Sequence, residues 1–218
     1  LKNRGQRLIV MTTDPVSAIS VLIKNHEIDV VYRSHHVGVF ETRQWHHLRA
    51  DFPRIAFHSI WTHTLFRPEQ LPFGLNHLPT TFTEFKQACE TIAIDKPVAM
   101  PQQLAPPVDT VTGLKRTSEN VLDSHKGFNG GEKAALQHLD DYFSSELPQH
   151  YKTVRNELDG WDNSTKMSAW LASGALSPRK LIDRLQRYEK DNVANESTYW
   201  IYYELLWREY FQWYAQRY

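Results

Sequence analysis

Two stretches of the chain gather residue types that can hold or act on a ligand. The first is Asp162-Asn163-Ser164-Thr165-Lys166-Met167-Ser168. Three hydroxyls, an amide and a lysine sit where a helix is predicted to start, at Lys166. Unpaired backbone N–H groups at a helix start favour an anion, a phosphate above all, and Ser and Thr hydroxyls add donors. An ordinary helix cap uses the same residue types, so both readings stand at this point. The second stretch is the last predicted helix. Trp200, Glu204, Trp207, Phe211 and Tyr214 recur at three- and four-residue steps and share one face. A carboxylate among aromatics is unfavourable to bury without a partner, and Arg208, four residues on, can pair with it. Either Glu204 and Arg208 form a structural pair in a helical core, or the face lines a cavity. In a cavity, Glu204 would hydrogen-bond a ligand and tryptophan would stack on a flat ring.

Other chemistries find little support. His35-His36 and His46-His47 are adjacent pairs, not metal-ligand spacings, and neither His-x-Glu nor Cys-x-x-Cys occurs. The nucleophile elbow Gly-x-Ser-x-Gly and the dinucleotide fingerprint Gly-x-Gly-x-x-Gly are absent as well. Lys and Arg number 25, as do Asp and Glu, so bulk charge does not announce a nucleic-acid binder, though a local basic patch is compatible with it. Cys89 is the lone cysteine, which excludes an internal disulfide and fits a reducing compartment, here expected to be the cytoplasm. Phe82, Phe85 and Ile92 surround it at helical spacing and predict a buried structural thiol. There is no run of about eighteen apolar residues, so no membrane span is expected.

The elements that must position these stretches fall into two kinds. Arg7–Met11, Ile28–Tyr32 and Arg54–His58 read as short apolar strands. Val16–Lys24, behind an Asp14-Pro15 cap, and Thr42–Ala50 read as helices between them. Strands alternating with helices argue for a parallel sheet. A helix is predicted over Thr81–Ile94. Then Pro97, Pro101, Pro106 and Pro107 break all periodicity, and 96–126 reads as a linker. From residue 127 the pattern is helical: Glu132–Phe143, Tyr151–Leu158, Lys166–Ser173, Pro178–Glu189 and Ser197–Tyr218. The expected domains are therefore an α/β unit over 1–95, the linker, and an all-α unit over 127–218. Ten of the last twenty residues are aromatic, so the final helix must pack against something or line a site. That face is expected to be exposed, or covered by a second copy through self-association.

Phe128-Asn129-Gly130-Gly131-Glu132, Tyr151-Lys152-Thr153-Val154-Arg155-Asn156, Ser164-Thr165-Lys166-Met167-Ser168 and Gly174-Ala175-Leu176-Ser177-Pro178-Arg179 resemble successive motifs of the photolyase/cryptochrome family. So does the run from Trp200 through Glu204-Leu205-Leu206-Trp207-Arg208-Glu209-Tyr210-Phe211. Val193–Trp200, Leu71-Pro72-Phe73, Leu78-Pro79 and Phe82-Thr83 are similar to the DASH branch. The resemblance implies an α/β antenna domain followed by a helical domain holding FAD. It implies that Tyr151, Ser164, Thr165, Lys166, Met167, Ser168 and Arg208 contact the flavin. Arg155, Tyr210 and Phe211 would meet DNA, and Glu204 and Trp207 would meet a pyrimidine dimer flipped from its strand and act as the catalytic pair. Glu41 resembles a carboxylate that contacts a methenyltetrahydrofolate antenna.

Two departures from the family pattern matter. Ile201 stands where many photolyases carry tryptophan, with Trp200 one place earlier, as in the DASH branch. Lys166 replaces a frequent arginine, keeping the charge but losing the fork. The family's first strand and helix are expected before Leu1, and the second half of the helical domain after Tyr218. Three readings follow from the resemblance. One is a light-driven lyase acting on UV-damaged, single-stranded DNA. Another is a blue-light receptor that signals without repair, and the third is an inactive piece without cofactor.

Overall fold

Asp14 starts the first helix, α1 (Pro15–Asn25), as its sequence predicts. Its carboxylate accepts the Ser17 amide at 2.8 Å, and Pro15 takes a position where no N–H is needed. A computed structural model describes residues 6, 9–105 and 128–218. After α1 come β1 (Val30–Ser34), α2 (Val39–Asp51) and β2 (Ala56–Ile60). The strands pair in parallel, Val30 with Ala56 through Ser34 with Ile60. The fold class is thus the expected one, an α/β part followed by a helical part.

Both strands begin two residues later than the apolar runs predict. The Ile28 amide donates to the His26 carbonyl, a tight turn that delays extension. Of the expected strand Arg7–Met11, Arg7 and Leu8 lie outside the described residues. Ile9, Val10 and Met11 carry no strand, and Ile9 and Val10 stay 39% and 51% exposed. An apolar run without a paired neighbour has no ladder to join.

By packing, the described residues form two units, drawn from Leu1–Ile60 with Val98–Leu122 and from Trp61–Pro97 with Asp123–Tyr218. The first buries Ala18, Trp45 and Leu48, with Trp45 edge-on to Phe57 at 5.1 Å. The second holds α3 (Phe82–Cys89), α4 (Glu132–Phe143), α5 (Tyr151–Val154), α6 (Ser168–Ser173), α7 (Pro178–Asp191) and α8 (Glu196–Arg217). Sequence pattern puts a boundary at 95, whereas packing puts it after Ile60. The reason is that Leu65, Phe66, Phe85 and Cys89 are fully buried in the helical core. Cys89 is the buried thiol expected, and burial pushes it up to about 12. Residues 96–105 carry no helix or strand, and the rest of the expected linker, with Gly127, lies outside the described residues.

Several helices are shorter than their patterns. α3 stops at Cys89 because the chain turns there, with the Ile92 amide on the Cys89 carbonyl. α5 stops at Val154, ahead of an Asp159-Gly160 turn in which Gly160 has φ 115°. α6 starts at Ser168, because Lys166 adopts φ 52° and cannot continue into a right-handed helix.

Segment 61–81 has only two single 3-10 turns of regular structure, Pro68–Gln70 and Leu75–His77, yet Thr64, Leu65 and Phe66 are buried. Buried backbone polar groups need partners, and side chains of α7 and α8 supply them. Glu209 accepts the Leu65 amide at 2.8 Å and the Phe66 amide at 3.1 Å. Arg179 donates to the Leu65 carbonyl, Arg208 to His63, Tyr210 to Thr80 and Arg217 to Leu78. Trp213 donates its indole N–H to Glu209 at 2.8 Å and stacks on Trp61 at 4.9 Å. These contacts correct the expectation of a wholly unpartnered aromatic helix. Tyr210 and Trp213 are buried against 61–81, while Phe211, Tyr214 and Tyr218 remain 59%, 42% and 74% exposed.

Glu209 is fully buried, and burial raises its carboxyl to about 7 against the lowering effect of its three donors and Arg208. A carboxyl raised on folding contributes stability that is full below its unfolded value near 4.5 and is lost as pH rises through about 7. The gap corresponds to about 3 kcal/mol over that window. Glu209→Gln is expected to flatten this pH dependence in thermal or urea unfolding. It should also destabilise the fold by about 1–3 kcal/mol at neutral pH, because an amide NH₂ would face the Leu65 N–H. Equal pH profiles for wild type and variant would remove Glu209 from the balance.

Candidate functional site

α8 is held at its start by Asn195, whose side chain accepts the Thr198 amide while the Thr198 hydroxyl accepts the Asn195 amide. With its inner face committed to 61–81, the helix turns Trp200, Glu204 and Trp207 to a half-buried outer face, as the spacing predicts. The partner of Glu204 is different from the one expected. Arg155, just after α5, donates to Glu204 at 2.7 Å. Arg208 instead gives its guanidinium to the carbonyls of His63 at 2.6 Å and Leu171 at 3.4 Å. Helical spacing permits the Glu204–Arg208 pair, but the Arg208 guanidinium is engaged by these two carbonyls instead. Burial lowers the basicity of Arg208, and Glu209 opposes this.

Around the Arg155–Glu204 pair, the Arg155 guanidinium lies 4.2 Å from the centroid of Trp200, and the Lys152 ammonium lies 5.4 Å from the same ring. Tyr151, the first residue of α5, is buried. Burial first, then Glu204, pushes its hydroxyl up to about 12, with Arg155 opposing. The Arg155 Nε and the Tyr142 hydroxyl are buried and have no hydrogen-bond partner among the described residues.

Ser168 is the first residue of α6, two residues later than the helix start expected at Lys166, and residues 164–167 form a loop. Met167 is buried as its anchor, the Thr165 carbonyl is held by His138 at 2.8 Å, and Lys166 sits in the left-handed region. The hydroxyls of Ser164, Thr165 and Ser168 make no hydrogen bond to the described residues. The loop therefore presents three hydroxyls and a lysine at the start of α6.

The remaining predicted residues divide. Trp207 is half-buried with one face covered by Phe82 at 3.6 Å, and Phe211 is exposed beside it at 5.7 Å. Tyr210 touches both rings, Phe211 at 5.7 Å and Trp207 at 6.3 Å, but it is buried and its hydroxyl donates to the Thr80 carbonyl. In the first unit, Glu41 pairs with His36 at 3.6 Å. Its carboxylate lines a cleft of about 280 Å³ with Tyr32, Arg33 and Trp45. Arg33 lies 4.4 Å over the Trp45 ring. Among the described residues no group of three metal-ligating side chains occurs, and no helix is long and apolar enough to cross a membrane.

Sequence reading missed Trp200 as a cation platform, Glu209 as a buried acceptor and His138 as the loop's support. The four-residue spacing of Glu209 and Trp213 is the one signal that could have exposed the second. His138 carries none.

A parallel α/β part, a buried irregular connection and a helical part with this loop define a photolyase-type fold. The chain belongs to the photolyase/cryptochrome family. Residues 1–105 match the DNA photolyase family model. The chain is 42% identical over 222 residues to Cryptochrome DASH of Idiomarina loihiensis, covering 99% of the chain and 48% of that relative. It is 35% identical to Cryptochrome DASH of Xenopus laevis, covering 100% and 45%. The cryptochrome structure from Synechocystis sp. PCC6803 matches with a TM-score of 0.80 and 33% identity, over 94% of this chain and 45% of that one. A class III photolyase from Agrobacterium tumefaciens shares the fold, with a TM-score of 0.81 at 20% identity, over 100% of this chain and 47% of that one. The chain thus spans about half the length of the curated relatives it matches. Photolyases and cryptochromes generally bind FAD, and some bind a folate antenna.

Lys166 is the only non-glycine with positive φ among the described residues. Such a conformation costs about 1 kcal/mol. Lys166→Gly is therefore expected to raise unfolding stability by about 1 kcal/mol while weakening flavin retention through loss of the charge. A variant no more stable than wild type would show that the loop stores no strain.

Proposed function

We propose that the parent protein is a light-driven DNA repair flavoprotein of the DASH kind, acting on cyclobutane pyrimidine dimers in single-stranded DNA. The observation that supports this best is the half-buried Arg155–Glu204 pair, with the Arg155 guanidinium 4.2 Å from the Trp200 ring centroid. Ser164, Thr165, Lys166, Ser168 and Tyr151 would hold the phosphates and sugar chain of FAD, with Met167 fixing the loop in the core. When bound, the reduced flavin would supply an electron for opening the cyclobutane ring and take it back afterwards, with no net redox change. Glu204 would accept hydrogen bonds from the flipped dimer's polar edge. Trp207 would stack on the dimer with the face that Phe82 leaves open, and exposed Phe211 would extend that surface. Arg155 would take a backbone phosphate. Glu41 and the cleft beside Trp45 would receive the folate antenna. A blue-light receptor that signals without repair is the second reading, favoured by the cryptochrome names of the relatives.

Three readings on each variant of the full-length protein separate these: flavin absorbance, dimer-DNA affinity and light-dependent repair. Glu204→Ala is expected to lower repair while keeping flavin. Trp207→Ala should weaken dimer binding about tenfold to a hundredfold. Ser164→Ala with Ser168→Ala should loosen flavin. A wild-type protein that binds flavin but repairs no dimer would favour the receptor reading, and equal flavin loss in all variants would make α8 mere support.

A further inference from the structure

Arg155 is held in an incomplete set of contacts. One nitrogen donates to Glu204 at 2.7 Å, its Nε is buried without a partner, and its plane rests 4.2 Å from the Trp200 centroid. Lys152 reaches the same ring at 5.4 Å, and its other contact is Glu196, at the start of α8. Two cations therefore sit on one tryptophan, each tied to a carboxylate of α8. The pair is not sealed: the side chains of Arg155 and Glu204 are 23% and 35% exposed. The exposed part of the guanidinium can donate to an oxyanion that arrives from solvent. Glu204, in turn, has one oxygen engaged by Arg155 while that partnership lasts.

We infer that Trp200 is a positioning residue for an exchange of partners: a nucleic-acid phosphate takes Arg155 on the Trp200 platform, and Glu204 is thereby released toward the base. This rests on the repair reading for the fate of Glu204, but the platform itself concerns strand binding alone. No bond is made or broken. The ion pair opens, the phosphate replaces the carboxylate on the guanidinium, and the freed carboxylate becomes available to N–H donors of a base edge. The device ties recognition of the backbone to readiness at the lesion. Without DNA, Glu204 stays neutralised by Arg155 and is not left as an unpaired charge among aromatics.

The test uses the flavin-loaded full-length protein with an oligothymidylate strand, with or without one cyclobutane dimer, over a series of salt concentrations. Trp200→Leu is expected to weaken both strands about fivefold to thirtyfold, the span of a partly desolvated cation–π contact. It should also flatten the log–log salt slope by about 0.7, one single-strand phosphate contact, with flavin absorbance unchanged. Trp200→Phe should restore most of the loss. Glu204→Gln, which releases Arg155, should tighten the undamaged strand while abolishing preference for the dimer. Unchanged affinity and slope in Trp200→Leu, or a weaker undamaged strand in Glu204→Gln, would overturn the inference. Failure of the repair reading is distinct: wild type would then show no dimer preference and no repair, while undamaged-strand affinity still reports on Trp200. A wild-type protein that binds no strand overturns both.

Discussion

The buried carboxylate of Glu209 is the contact on which the helical unit depends. Residues 64–66 run through the core without strand or helix to pair their backbone, and a buried amide without an acceptor costs about 1–3 kcal/mol. Glu209 takes two such amides and an indole N–H on two oxygens. Arg208 and Arg179 meet the carbonyls on the same segment. The desolvation of a full carboxylate is the opposing effect, and it raises Glu209 to about 7. The segment is therefore fixed by electrostatics that are close to balance, not by a hydrogen-bonded ladder.

That constraint sets the orientation of everything α8 carries. Glu204 and Glu209 are five residues apart, so they project about 140° apart around the helix. Once Glu209 is turned into the core, Glu204 has to face outward, and Trp200 and Trp207 go with it. A rotation of α8 by one residue would bury Glu204 among aromatics and expose the amides of Leu65 and Phe66. The inner acid fixes the helix and the outer acid is left for chemistry. The same logic explains Arg208, which is spent on carbonyls and leaves the pairing of Glu204 to Arg155.

Much of this was legible in the sequence where a pattern repeats. The Asp14-Pro15 cap, the parallel pairing of two of the expected strands, the amphipathic α4 and the outward stripe of α8 follow from periodicity and capping. The family could be read from motifs in order. What could not be read is decided between distant residues. Trp61–Pro97 looks like the end of an α/β domain, because nothing local reveals that α8 supplies its hydrogen bonds. The choice of Arg155 as the partner of Glu204 spans forty-nine positions, while Arg208 is engaged by the carbonyls of His63 and Leu171. Lys166 has no glycine or asparagine to betray its left-handed backbone, so the loop reads as a helix start. Tyr210 shares the aromatic character of Phe211, yet its hydroxyl is drawn inward by Thr80.

The most direct measurement is residue-resolved amide hydrogen exchange at Leu65 and Phe66 under native conditions. If Glu209 anchors the segment, both amides exchange only through global opening of the helical unit, with the same free energy as Leu205 and Leu206 in the middle of α8. Exchange of Leu65 and Phe66 at the rate of a surface loop, while Leu205 and Leu206 stay protected, would contradict the account.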